Sequence, residues 1–136
     1  MFARDVMTAP VVTVSTDAVL GEVQQLFSLR RFRHIPVVSQ GAQVEGILSD
    51  RDLLRLIASA SIKHERWQAS TAKDLMVHPV LVASDDSEVR EIARVMFEER
   101  VGCVPIVDQG QLVIGMVTRS DILRTLLVQA PLELWR

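Results

Sequence analysis

An α/β (α+β) fold made of two copies of one unit, each running strand, helix, two-stranded hairpin, helix, is what this chain predicts. Three observations carry that prediction: the sequence repeats itself at a constant offset, each copy holds β-branched runs closed by turn residues, and each copy holds stretches of helical spacing. Adding 69 to any position from Ala3 to Ile57 reaches its counterpart without a gap. Asp5 meets Asp74, Pro10 meets Pro79, Glu22 meets Glu91, Pro36 meets Pro105, Gly46 meets Gly115 and Asp52 meets Asp121. The chain is a tandem duplication.

In each copy the first strand is expected at Val11 to Val14 and at Val80 to Ala83. Asp17 and Asp86 then precede amphipathic helices, with apolar Leu20, Val23, Leu26 and Phe27 in one and Val89, Ile92, Ala93, Met96 and Phe97 in the other. The runs from His34 to Val38 and from Cys103 to Val107 are strands, closed by Ser39-Gln40-Gly41 and Asp108-Gln109-Gly110. Hairpin partners follow at Gln43 to Leu48 and Leu112 to Val117. The last helices carry Leu53, Leu54, Leu56, Ile57 and Ile122, Leu123, Leu126, Leu127, faces wide enough to call for burial on more than one side.

A repeat of roughly 55 residues leaves much apolar surface open when folded alone. The copies are therefore expected to pack about a pseudo-twofold axis, with residues 1–70 forming the first motif and its linker and 71–136 the second motif and its tail. The polar connector from Ser59 to Thr71 holds Lys63, His64, Glu65 and Arg66, and Trp67 anchors it. In the tail, Leu134 and Trp135 are expected to dock on the same chain or on a second subunit.

Composition narrows the function. Net charge is -2, split as +1 for residues 1–68 and -3 for the rest, and aromatic residues are only 4% of the chain. Neither general affinity for nucleic acid or anionic membrane nor a base-stacking platform fits that balance. The one cysteine, Cys103, cannot form an internal disulfide, and no apolar run spans a bilayer. With no signal-peptide core at the start, a cytoplasmic location is expected.

The chemistry sits where the second hairpin strand runs into the last helix of each copy: Gly46-Ile47-Leu48-Ser49-Asp50-Arg51-Asp52 and Gly115-Met116-Val117-Thr118-Arg119-Ser120-Asp121. A Ser49 or Thr118 hydroxyl can cap the helix, whose start favours an anion such as a phosphate. Asp52 and Asp121 project from that same first turn, and a carboxylate has acceptors enough for both hydroxyls of a ribose. The same pattern also serves as a plain capping box that only stabilises the helix, by about 1 kcal/mol.

These residues resemble the cystathionine-β-synthase (CBS) domain family over nearly the whole chain, as two motifs at residues 3–58 and 72–128. The likeness rests on Asp5-Val6-Met7-Thr8 with Asp74-Leu75-Met76-Val77, on Arg33-His34-Ile35-Pro36-Val37-Val38 with Gly102-Cys103-Val104-Pro105-Ile106-Val107, and on the two glycine-to-aspartate stretches. It implies β-α-β-β-α motifs paired as a Bateman module, and frequently a homodimer of such pairs. It implies ligands of the adenosine type: AMP, ADP, ATP, S-adenosylmethionine or, in some members, cyclic dinucleotides. Asp52 and Asp121 then take the ribose, and Ser49, Arg51, Thr118 and Ser120, with Arg119 adjacent, lie on the phosphate side. The base lies against the backbone and apolar side chains of Met7, Val12, Met76 and Leu81, and of Ile35-Pro36 and Val104-Pro105, each cleft drawing part of its wall from the other copy. Arg33 and His34 occupy positions often basic in the family, whereas Gly102 and Cys103 carry no charge. The Asp52 cleft is therefore expected to favour the more highly phosphorylated ligand.

The basic stretch Arg30-Arg31-Phe32-Arg33-His34 is read as a helix C-terminus lending cations to a phosphate rather than as a nucleic-acid contact. His34, His64, His78 and Cys103 show no metal-ligand spacing, and no nucleophile or Gly-rich phosphate loop stands out. The expected function is a non-catalytic regulatory module, without a required cofactor, that senses an adenosyl ligand and signals to a separate effector protein. The alternative is a structural or dimerisation module whose clefts bind nothing.

Overall fold

The computed structural model describes residues 1–30, 32–59 and 66–129. Two compact units divide the chain, but not at the repeat boundary: one comprises residues 12–80, the other residues 1–11 with 81–136. The opening segment of each repeat is thus packed into the unit built on the other repeat's sheet.

In the unit 12–80, β1 (Val14–Ser15) leads to α2 (Leu20–Arg30), the hairpin β2 (His34–Val38) and β3 (Val44–Ser49), and then α3 (Asp50–Ala58). A 3-10 turn at Trp67–Ala69 and the single-turn helix α4 (Ala72–Leu75) complete it. The other unit repeats the order: α1 (Ala3–Val6), β4 (Ala83–Ser84), α5 (Val89–Glu99), the hairpin β5 (Cys103–Val107) and β6 (Val113–Thr118), and α6 (Arg119–Gln129). Each sheet has three strands, the short strand parallel and the hairpin antiparallel. The strand, helix, hairpin, helix order expected of both copies is present.

The first strands are shorter and later than expected. Only Val14 and Ser15, and Ala83 and Ser84, find a parallel partner on the hairpin. The residues before them join no ladder with the hairpin, so apolar β-branched character alone does not make them β. The hairpin partners run one residue later than expected, because His34 pairs with Ser49 and Cys103 with Thr118. The single-turn helices were not anticipated, although Thr71-x-x-Asp74 is legible as a capping box. The Thr71 N–H and hydroxyl donate to the Asp74 carboxylate at 2.9 and 3.1 Å. These bonds hold the Asp74 carboxyl below its usual range.

The core of unit 12–80 gathers Leu20, Val23, Ile35, Val37, Leu48 and Leu53, with Trp67 buried among them as the linker reading required. Ile92, Met96, Val104, Ile106 and Val117 form the corresponding core, with Ala3 from the opening segment. On the wide apolar faces of the last helices, Leu54, Leu123, Leu126 and Leu127 are exposed among the described residues. Readings placed on His64 and on the tail residues Leu134 and Trp135 lie outside the described residues.

The exchanged segments are seated by two glycines. Val77 bridges Ile47 through both backbone bonds, at 3.0 and 2.8 Å, and Thr8 bridges Met116 likewise at 2.9 and 3.0 Å. Beside each bridge a methionine lies where a glycine has no side chain. A Cβ on Gly46 would stand 2.5 Å from Met76 Sδ and 2.9 Å from Met76 Cβ, and one on Gly115 would stand 2.9 Å from Met7 Cγ and 3.2 Å from the Thr8 carbonyl oxygen. Alanine at Gly46 must therefore displace the backbone of the incoming segment. Gly46→Ala is expected to cost about 1–3 kcal/mol in urea unfolding. Gly41→Ala, whose Cβ would meet nothing nearer than Ser39 Oγ at 3.9 Å, should stay within about 0.5 kcal/mol of the parent.

Cys103 opens β5 as a buried thiol. Burial pushes it up to about 12, against the opposing pull of the Arg119 cation. The folded thiol therefore stays protonated at pH 8 and should resist a disulfide exchange reagent that reacts at once after denaturation. In the unfolded chain it ionises near its ordinary value of 9.0. The stability contributed by the neutral buried thiol is thus complete below pH 9 and lost as the pH rises toward 12, a decline that Cys103→Ala should lessen in denaturation curves taken across that range.

Candidate functional site

Each compact unit collects one set of the residues expected to bind a ligand. Unit 12–80 holds Val12, Arg33, His34, Ile35, Pro36, Ser49, Arg51, Asp52 and Met76; the other holds Met7, Leu81, Val104, Pro105, Thr118, Arg119, Ser120 and Asp121. The segment exchange is what brings Met76 to the repeat that carries Asp52, and Met7 to the repeat that carries Asp121.

The strand-to-helix junction forms as its sequence requires. Ser49 leaves β3 in an extended conformation and caps α3, its hydroxyl oxygen accepting from the Asp52 N–H at 3.0 Å. The Asp50 N–H donates to the Arg33 carbonyl at 3.0 Å, closing the hairpin mouth onto the helix. Two of the first three N–H groups of α3 are therefore already bonded, and the anion site expected there is narrower than a bare helix start. The hairpin backbone claims those donors first. The Ser49 hydroxyl hydrogen and the exposed cations Arg33 and Arg51 stand beside that start.

The first aspartate is open. Asp52 keeps 29% of its side chain exposed, and its ion-pair partner is Arg55, one turn along the helix at 3.9 Å. His34, the first residue of β2, is half-buried and engaged. Val12 and Met76 are also half-buried, so parts of their apolar side chains are accessible.

The second aspartate is not open. Asp121 is 2% exposed. Its Oδ2 accepts from the Thr118 N–H at 2.9 Å and the Thr118 hydroxyl at 3.0 Å, its Oδ1 from Arg124 Nη1 at 3.1 Å, and the Thr8 hydroxyl sits 3.3 and 3.4 Å from the two oxygens. Those four donors match the roughly four acceptor sites of a carboxylate. The expectation that Asp121 offers both oxygens to a sugar does not hold in this structure, because the protein's own donors take them. Arg119, whose N–H donates to the Gly102 carbonyl at 3.3 Å, and Ser120 are exposed at the start of α6.

The expected base wall keeps only part of its side-chain surface accessible. Ile35 is 0% and Val104 3% exposed, and Pro36 and Pro105 are fully buried, so these four side chains fill the cores rather than line an open surface. β2 and β5 are the middle strands of their sheets, and their apolar side chains pack into the two cores. Leu81 is exposed, and Met7 half-buried.

Three residues that matter were not singled out from sequence as site residues. Arg55 and Arg124 stand three residues after the aspartates in both repeats, a helix-surface pairing distance. Thr8 has Val77 as its counterpart, so the offset comparison itself marks a hydroxyl present in one repeat and missing in the other. Among the described residues no group of three or more His, Cys, Asp or Glu could hold a metal ion, and no helix is long and apolar enough to cross a membrane.

Known proteins resemble this chain along most of its length. The CBS domain model matches residues 3–59 and again 72–128. The chain is 31% identical to an inosine-5'-monophosphate dehydrogenase of Methanocaldococcus jannaschii, over 90% of this chain but 23% of that enzyme. It thus spans about a quarter of that relative's length. A CBS domain-containing protein of Dictyostelium discoideum is 27% identical, with 93% of this chain and 92% of that protein covered. Among solved structures, the CBS domain pair of protein MJ0100 in complex with 5'-methylthioadenosine and S-adenosyl-L-methionine superposes with TM-score 0.84 at 23% identity, covering 96% of this chain and 98% of that one. CBSX2 in complex with AMP superposes with TM-score 0.81 at 25% identity, covering 93% and 96%. With both motifs matched and both sheets built alike, the chain belongs to the CBS domain family as a tandem CBS pair.

Proposed function

We propose that this CBS pair is a regulatory, non-catalytic module that binds an adenosine-containing ligand, an adenine nucleotide or S-adenosylmethionine, and passes its occupancy to a separate effector protein. One observation carries the reading: the Asp52 carboxylate, at the first turn of α3, is partly exposed and held only by a long contact to Arg55. A ribose diol donates two hydrogen bonds, and a carboxylate with unspent acceptors in a partly desolvated setting is the group that repays them. The Ser49 hydroxyl, Arg33 and Arg51 are set to meet phosphates, and Met76 and Val12 to give the base an apolar contact. The complexes of CBSX2 with AMP and of MJ0100 with S-adenosyl-L-methionine support the ligand class. Signalling requires that the ligand favour one conformation over another.

The exposed apolar face formed by Phe97 on α5 with Leu123 and Leu127 on α6 is assigned to a second copy of the chain. The scaffold reading, in which the module only pairs subunits, is favoured by one observation, the saturation of Asp121.

Thermal-shift titration with AMP, ATP and S-adenosylmethionine tests the sensor reading. A ligand at 100 times its dissociation constant should stabilise the fold by about 2.7 kcal/mol, and Asp52→Asn should lower affinity at least tenfold. No response to any of the three ligands favours the scaffold. If Arg33 and Arg51 serve phosphates, ATP should bind more tightly than AMP, and raising the salt should narrow the difference. Phe97→Glu with Leu127→Glu should convert a dimer to a monomer in analytical ultracentrifugation.

A further inference from the structure

The two repeats share a backbone design and differ beside the aspartate at a hydroxyl. Thr8 and Val77 are equivalent positions, and each makes the same two-bond bridge, to Met116 and to Ile47. Arg124 and Arg55 are equivalent as well, each one turn beyond its aspartate, at 3.1 and 3.9 Å. Where the bridge residue is threonine, its hydroxyl lies against both oxygens of the aspartate and the arginine closes in. Where it is valine, the side chain is 57% exposed and the aspartate stays partly open.

We infer that Asp121 is a structural clasp rather than a ligand group: with Thr8, Thr118 and Arg124 it pins residues 1–11 to β6 and α6, so the chain takes one adenosyl ligand, at Asp52, and not two. The clasp is independent of any ligand. The stoichiometry rests on the function proposed above.

A carboxylate that accepts four internal donors while 2% exposed has nothing left for a sugar, and offering an oxygen to one would break bonds to Thr118, Thr8 or Arg124. Hydrogen bonds to a charged acceptor are among the stronger ones, so the clasp competes directly with ribose. Asp52 faces weaker competition, since Val77 has no donor to offer and Arg55 stands at 3.9 Å where Arg124 stands at 3.1 Å.

Two measurements on the full chain test this. In thermal unfolding without ligand, Asp121→Asn and Thr8→Val should each lower Tm by roughly 3–6 °C. The double variant should fall by clearly less than the sum, because the two residues share one interaction. Asp52→Asn, which breaks only a loose exposed pair, should leave Tm within about 1 °C. Equal loss of Tm in Asp52→Asn and Asp121→Asn, or full additivity of the double variant, would overturn the clasp. In calorimetry with AMP and ATP, the parent chain should bind one equivalent, abolished by Asp52→Asn. Two equivalents per chain, or one that survives Asp52→Asn, would overturn the single-seat assignment. Absence of all nucleotide binding would refute the proposed function and the stoichiometry with it, leaving the clasp to be decided by the unfolding data alone.

Discussion

The close approach of a methionine to a glycine is the constraint on which this structure depends. Met76 can lie against β3 only because Gly46 has no side chain, and Met7 against β6 only because Gly115 has none. Each contact is locked by a two-bond backbone bridge beside it. Without that seat, the opening segment of each repeat would not reach the sheet it completes. Neither unit would then be built as it is, with a core drawn from two distant stretches of chain.

Seating the segment also decides what stands opposite each aspartate. The residue that follows the methionine makes the bridge, and its side chain shares the strand-to-helix junction of the receiving repeat. In one unit that residue is Thr8, and Asp121 becomes the centre of a closed hydrogen-bond network. In the other it is Val77, and Asp52 keeps free acceptors. Duplication supplied two equal frames, and a hydroxyl in one place with two methyls in the other separates their chemistry. Local burial then reinforces the difference, since a carboxylate surrounded by its own donors loses solvent, and an open one retains it.

A second asymmetry runs the same way. Arg33, His34 and Arg51 lie in the repeat that carries the open aspartate, while their counterparts Gly102, Cys103 and Ser120 carry no cation and Arg119 stands at the start of α6. Cys103 is buried as a neutral thiol, and the nearby Arg119 does not draw it into ionised form. More of the positive charge therefore lies in the repeat whose carboxylate is open. The CBS pair is symmetric in architecture and one-sided in chemistry.

By itself the sequence determined the duplication, the order of elements, the capped strand-to-helix junctions and the hydrophobic stripes, because each is written in spacings of a few residues and in residue types whose local preferences are strong. It also marked Ser49, Asp52, Thr118 and Asp121 as the groups able to meet a sugar and a phosphate. Only the tertiary structure decided that the opening segments change places, that Ile35, Pro36, Val104 and Pro105 are sealed in the cores, and that Asp121 is spent while Asp52 is open. Those outcomes follow from contacts across more than a hundred residues, as between Thr8 and Asp121. A carboxylate's availability depends on which distant donor the fold places beside it, and nothing in its immediate neighbours records that.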